Sequence, residues 1–146
     1  MLGHYRRGVA QSVEYLSILK GDTSKIIINR NTPINTFLKQ CIHLNTVRGK
    51  NIFIGENSLL YNNIEIHTSD YHSIMDENIT CNYASDVIIG KHVWIGMQTL
   101  ILKGCRIPDN CVIGAKTLVS KSFIETHIVI TGNFCKVVKK NINKKK

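Results

Sequence analysis

A chain of 146 residues has the length of one domain with a real core, and 43% hydrophobic content with only two prolines excludes a disordered polymer. No apolar run approaches the ~18 residues a membrane helix needs, and Gln11, Ser12, Glu14 and Ser17 interrupt the apolar start at 9–19, which argues against a signal peptide; the cytoplasm is the expected location. The net charge is +9, much of it in residues 136–146, a segment read first as a solvated basic tail and next as an attraction for an anionic small molecule. No aromatic interleaving or helix-turn-helix pattern supports nucleic-acid binding.

Residues 5–20 space Val9, Val13, Leu16 and Leu19 on one helical face, which predicts a short amphipathic helix stopped by Gly21-Asp22. Ile26-Ile27-Ile28 opens strand-like structure, and Asn31-Thr32-Pro33-Ile34 marks a turn. Ile54, Leu60 and Ile66 then step by six. The interval from Ile66 to Ile89 is not a multiple of six, so the polar segment from Asp70 to Ser85 must loop out. An excursion from a regular scaffold is where function concentrates.

After it the six-residue beat resumes at Ile89, Ile95, Ile101, Ile107, Ile113 and Val119, with a second column of small or β-branched residues at Val87, Val93, Thr99, Cys105, Cys111 and Thr117. Neither helical periodicity nor alternation makes such a pattern. Ile, Leu and Val fill 42 of the 146 positions. Six in one phase would then arise by chance in roughly 6 of 10,000 trials. The beat predicts an all-β parallel solenoid of short strands and corners. Glycine follows the aliphatic residue at 55, 90, 96 and 114, where no Cβ is expected to fit; Leu102 and Pro108 break that preference, and their corners are expected to adopt another conformation.

The five cysteines form no CxxC pair and no Cys/His metal spacing, and Cys105 and Cys111 read as small buried residues in a reducing compartment. The expected organisation is a single domain over 1–146: N-terminal helix in 1–21, solenoid over 22–135, basic tail over 136–146. The helix and the C-terminal segment are expected to cap the two ends.

Three blocks carry a resemblance to a known family: residues 66–74 (IHTSDYHSI), 86–96 (DVIIGKHVWIG) and 112–122 (VIGAKTLVSKS). They resemble the hexapeptide-repeat acyltransferases, in particular the bacterial O-acetyltransferases of capsules, lipopolysaccharide and sialic acids. The resemblance covers roughly residues 25–140. It implies a left-handed parallel β-helix, an exception to the usual crossover hand, and a homotrimer with its sites between subunits. It also implies acetyl-coenzyme A as co-substrate, with no metal required.

Acetyl transfer to a hydroxyl needs a base, and neutral imidazole suits that task. Of six histidines, His72 lies in the excursion and matches the family's catalytic histidine in an Asp-x-His block, with Asp70 placed to orient it after a bend in the chain. By the same resemblance Trp94, the single tryptophan, helps place acceptor or thioester. His67 is expected as wall or acceptor contact, as are Tyr71 and Asn82. Matched coenzyme A positions are Met97, Ala115, Ser120, Lys121, Lys136 and Lys139. The family's Gly-x-Pro-Ala-Lys is here Gly132-Asn-Phe-Cys-Lys136, which lacks the proline.

The expected function is therefore O-acetylation of a sugar hydroxyl on a surface glycan or its precursor, by direct transfer in a ternary complex. Two alternatives stay open: N-acetylation of an amino sugar or amino acid on the same scaffold, and a non-enzymatic solenoid binding phosphates or nucleic acid. A metal-dependent hydratase would need three histidines around one ion, and the sequence offers no such trio.

Overall fold

In the computed structural model of the chain, residues 10–13, 16–32 and 42–143 are described. Among the described residues seventeen strands follow in order: β1 Ala10–Val13, β2 Leu16–Leu19, β3 Ile26–Ile28, β4 Ile42–Asn45, β5 Ile52–Ile54, β6 Leu59–Leu60, β7 Ile64–His67, β8 Met75–Asp76, β9 Ile79–Thr80. The later ones are β10 Val87–Ile89, β11 Trp94–Ile95, β12 Leu100–Ile101, β13 Arg106–Ile107, β14 Val112–Ile113, β15 Leu118–Val119, β16 Val129–Thr131 and β17 Lys136–Lys139. Fifteen of these stack into three faces of a prism, and β8 and β9 pair apart from them. The first face is β1-β2-β4-β7-β12-β15, the second β3-β5-β10-β13, and the third β6-β11-β14-β16-β17.

The register shows why the six-residue beat exists. Ile89 pairs with Ile107, Ile95 with Ile113 and Ile101 with Val119, so one turn of the prism takes eighteen residues, six for each face. Ile54, Leu60 and Ile66 pair with Ile89, Ile95 and Ile101 in the same way, one turn plus the excursion. Each column residue thus lands on its equivalent in the next turn. Every member of both columns, from Val87 to Val119, is at most 2% exposed. The threonines there are buried without losing a hydrogen bond: Thr99 Oγ1 donates to the Gly96 carbonyl at 2.8 Å and Thr117 Oγ1 to the Gly114 carbonyl at 2.6 Å.

The corners correct one expectation. Left-handed backbone falls on the third corner residue, at Asn57, His92, Gln98, Asn110 and Lys116 (φ 53–60°), and at Gly104 (φ 76°). Corners that begin with Leu102 and Pro108 therefore keep the same conformation as the others. The glycines at corner starts are, as expected, places where no Cβ fits, because neighbouring turns approach closely there. A Cβ on Gly96 would lie 2.7 Å from the Ala115 nitrogen, and one on Gly90 only 2.8 Å from the Asp109 nitrogen.

The helix expected over 5–20 is a second correction. Among the described residues of that stretch, Ala10–Val13 and Leu16–Leu19 are strands, paired antiparallel with each other. An isolated helix of that length is marginal. The edge of β4 instead offers β2 four in-register parallel partners, from Leu16–Ile42 to Leu19–Asn45. Residues 1–9 and 14–15 lie outside the described part. At the other end, the first four residues of the expected tail form β17, antiparallel to β16. Reversed strands thus end the first and third faces and stop further parallel addition.

Candidate active site

The excursion leaves the corner between the first and second faces, after β7. Thr68 anchors its root: its N–H donates to the Asn45 carbonyl (3.2 Å), its hydroxyl accepts from Val47 N–H (3.1 Å), and its carbonyl accepts from Ser85 N–H (2.9 Å). Entry and exit are thereby stapled to one buried residue. The arm itself is the hairpin β8–β9, turned by Glu77 and Asn78 with positive φ of 47° and 65°, the conformation a two-residue hairpin loop requires. Its polar composition leaves Ile74, Met75 and Ile79 more than half exposed.

Asn82 organises the arm. Its Nδ2 donates to Asp70 Oδ2 at 2.9 Å and to the His72 carbonyl at 2.8 Å, while its Oδ1 accepts from Ile74 N–H at 2.6 Å. His72 is exposed, and its ring bonds to no described residue. Asp70 therefore does not touch the imidazole it was expected to orient. Its carboxylate bonds Asn82 and lies 3.6 Å from Lys103 Nζ, and the link to His72 runs through the Asn82 amide. The left-handed backbone of Tyr71 between them (φ 66°) breaks the extended chain that would set i and i+2 on one face, and an amide from ten residues on makes the connection.

His67, at the end of β7, is half-buried. Its Nδ1 lies 2.8 Å from the Tyr71 hydroxyl and 3.3 Å from Asn45 Nδ2, and its Nε2 is 4.0 Å from Glu65. Burial pushes its pKa below the ordinary value, with His43 adding to the effect and Glu65 opposing it.

Trp94 stands on the third face, away from the corner that carries the excursion. It is 38% exposed, and its ring is 6.1 Å from that of Tyr61. With Tyr61, Met97, Val112 and Ala115 it lines an apolar groove of about 400 Å³. Of the expected coenzyme A positions, Met97 and Ala115 come together here, on successive turns of one corner. Lys136 is near by register, pairing with Thr131, whose side chain covers Gly114. Ser120 and Lys121 occupy the next corner, below the root of the excursion, where Ser120 Oγ lies 3.7 Å from Cys135 Sγ. Lys139 pairs with Val129 further along β17.

Three residues at these sites were not singled out from the sequence. Lys103 could have been found, since it is the middle residue of the corner stacked on the excursion's root. Asn45 and Tyr61 carry no signal in the chain; only the register brings them to His67 and Trp94.

The bacterial transferase hexapeptide family (six repeats) matches residues 86–121. The chain is 32% identical over 134 residues to the polysialic acid O-acetyltransferase of Escherichia coli O1:K1 / APEC, an alignment of 86% of this chain and 41% of that protein. It is 32% identical over 115 residues to the galactoside O-acetyltransferase of Lactococcus lactis subsp. lactis (strain IL1403), covering 78% of this chain and 55% of the relative. Among solved structures, the polysialic acid O-acetyltransferase OatWY superposes with a TM-score of 0.81 at 32% identity, over 90% of this chain and 61% of that one. The chain belongs to the hexapeptide-repeat acyltransferase family, and its prism is the left-handed parallel β-helix of that family. It spans about half the length of the curated relatives it matches. No helix among the described residues is long and apolar enough to cross a membrane.

Proposed function

We propose that the chain forms a single domain that transfers an acetyl group from acetyl-coenzyme A to a sugar hydroxyl, with His72 as base. The observation that carries this reading is the excursion: a solvent-facing imidazole, clamped by its backbone to Asn82, on an arm stapled to a regular wall. A neutral imidazole takes the hydroxyl proton as the oxygen attacks the thioester carbonyl; the C–S bond breaks, and the imidazolium returns the proton to the leaving thiolate. No acyl-enzyme is needed. Burial pushes the Cys105 thiol up to about 11, so it is not a nucleophile at neutral pH. The exposed Cys81 directs its S–H to the Ile74 carbonyl at 3.3 Å. The relatives' names favour a sugar acceptor, and the net charge of +9 favours an anionic one.

In this reading the thioester arm lies in the Trp94–Met97–Ala115 groove. Asp70, Tyr71 and His72 are on one corner and the groove is on another, so the two meet between copies of the chain. The exposed Ile74, Met75 and Ile79 and the apolar groove would cover each other there, and a homotrimer is the expected assembly. Light scattering should give about three times 16.5 kDa at micromolar concentration. A fully active 16.5 kDa monomer would contradict the arrangement. Acetyl-coenzyme A is a cytoplasmic metabolite, so the proposed location is the cytoplasm.

The direct test is acetyl-coenzyme A consumption across neutral, acidic and amino sugars and their oligomers, with mass spectrometry of the products. Ester-linked acetyl on a sugar is expected. An amide product would transfer the reading to an N-acetyltransferase, and no turnover or donor binding with any acceptor would end it.

A further inference from the structure

Tyr71 separates Asp70 from His72, and its backbone is left-handed, with φ of 66°. A bulky aromatic residue disfavours that region, so something must hold it there. Two contacts do. Its N–H donates to Ser69 Oγ at 2.9 Å, and its hydroxyl lies 2.8 Å from His67 Nδ1, with the two rings edge-on and their centroids 5.6 Å apart. Burial raises the Tyr71 pKa and lowers that of His67, so the phenol keeps its proton and the imidazole stays neutral. The phenol then donates and Nδ1 accepts, leaving Nε2–H on the side of Glu65.

The footing of this contact is firm. His67 and Asn45 are register partners on adjacent turns of the first face, and Asn45 Nδ2 lies against the same Nδ1. Tyr71 turns its hydroxyl toward that wall although the residue remains 47% exposed, and its neighbours Asp70 and His72 are exposed as well. Asn82 ties the arm to itself, holding Asp70, His72 and Ile74 together. The Tyr71 side chain, against His67 and Asn45, ties this cluster to the solenoid, beside the 3.6 Å approach of Asp70 Oδ2 to Lys103 Nζ.

We propose that Tyr71 is a positioning residue for His72, acting through its hydrogen bond to His67, and is not a contact to the acceptor. This rests on His72 being the base. Tyr71→Phe keeps the ring and removes only the donor. It should lower kcat on the order of 10- to 100-fold, the effect of a displaced reacting group, and leave KM for the acceptor within about twofold. His67→Gln, which keeps an acceptor oxygen, should retain most of the rate. The double variant should be no slower than Tyr71→Phe alone, because once the phenol donor is gone the acceptor at position 67 has no bond left to lose. Amide hydrogen exchange over residues 69–76 should quicken in Tyr71→Phe whatever the activity.

A rise in acceptor KM with kcat unchanged would make Tyr71 a substrate contact and overturn the proposal, as would unaltered exchange over 69–76. Should exchange quicken as expected while the wild-type protein acetylates no acceptor, the anchor stands and the acetyltransferase reading falls.

Discussion

Replacing His72 with Ala is expected to lower turnover on the order of 100- to 10,000-fold, the range for losing a general base, and to leave the melting transition unchanged. The structural reason for a clean result is specific. His72 joins the fold through its backbone carbonyl, which Asn82 Nδ2 holds at 2.8 Å, and Ala keeps that carbonyl. The side chain is exposed and contributes nothing to the core columns. KM for acetyl-coenzyme A should barely move, since His72 is not among the residues that line the groove of Trp94 and Met97. Activity within about threefold of wild type would remove His72 from the mechanism. His67 would be next in line, but its Nδ1 faces the Tyr71 hydroxyl and it is half-buried. A base already accepting a hydrogen bond is poorly placed to take a substrate proton.

Replacing Lys121 or Lys136 with Ala should raise KM for acetyl-coenzyme A roughly 10- to 150-fold, since a charge-assisted contact to phosphate contributes about 1.5–3 kcal/mol. Acceptor KM should change little, and deleting residues 141–146 should matter less than either substitution. Lys136 is the better placed of the two for the groove: it pairs with Thr131, which lies over Gly114 on the corner of Met97 and Ala115. Lys121 sits one corner away, with its Nζ 5.6 Å from the Phe123 ring centroid. That contact must open for the ammonium to reach a phosphate. A tail deletion that abolished a salt-sensitive interaction with DNA, RNA or anionic vesicles, with no acetyl-coenzyme A binding, would instead favour the phosphate-binding solenoid.

The solenoid was legible because its signal is carried by each residue separately. An aliphatic residue every sixth place and a small one two before it need no knowledge of partners; the turn of eighteen residues makes each its own neighbour's equivalent. The break in phase between Ile66 and Ile89 marked the excursion for the same reason. The N-terminal helix failed because Val9, Val13, Leu16 and Leu19 satisfy a helical face, while the free edge of β4 lies 26 residues further on and decides the outcome. The corners at Leu102 and Pro108 were misjudged because the left-handed residue is the third of each corner, Gly104 and Asn110 in these two, and not the first.

What the sequence determined by itself is therefore the interior, the six-residue step and the place where the arm departs, since a regular repeat writes burial into local spacing. Asp70, Tyr71, His72 and Asn82 could also be named from their position in the arm. How they bond was decided only in the tertiary structure. Asn82 reaches back across ten residues to the His72 carbonyl, and Asn45 meets His67 from the preceding turn. Those pairs depend on where a non-repeating loop returns and which rung lies beneath it, and no period in the chain encodes either.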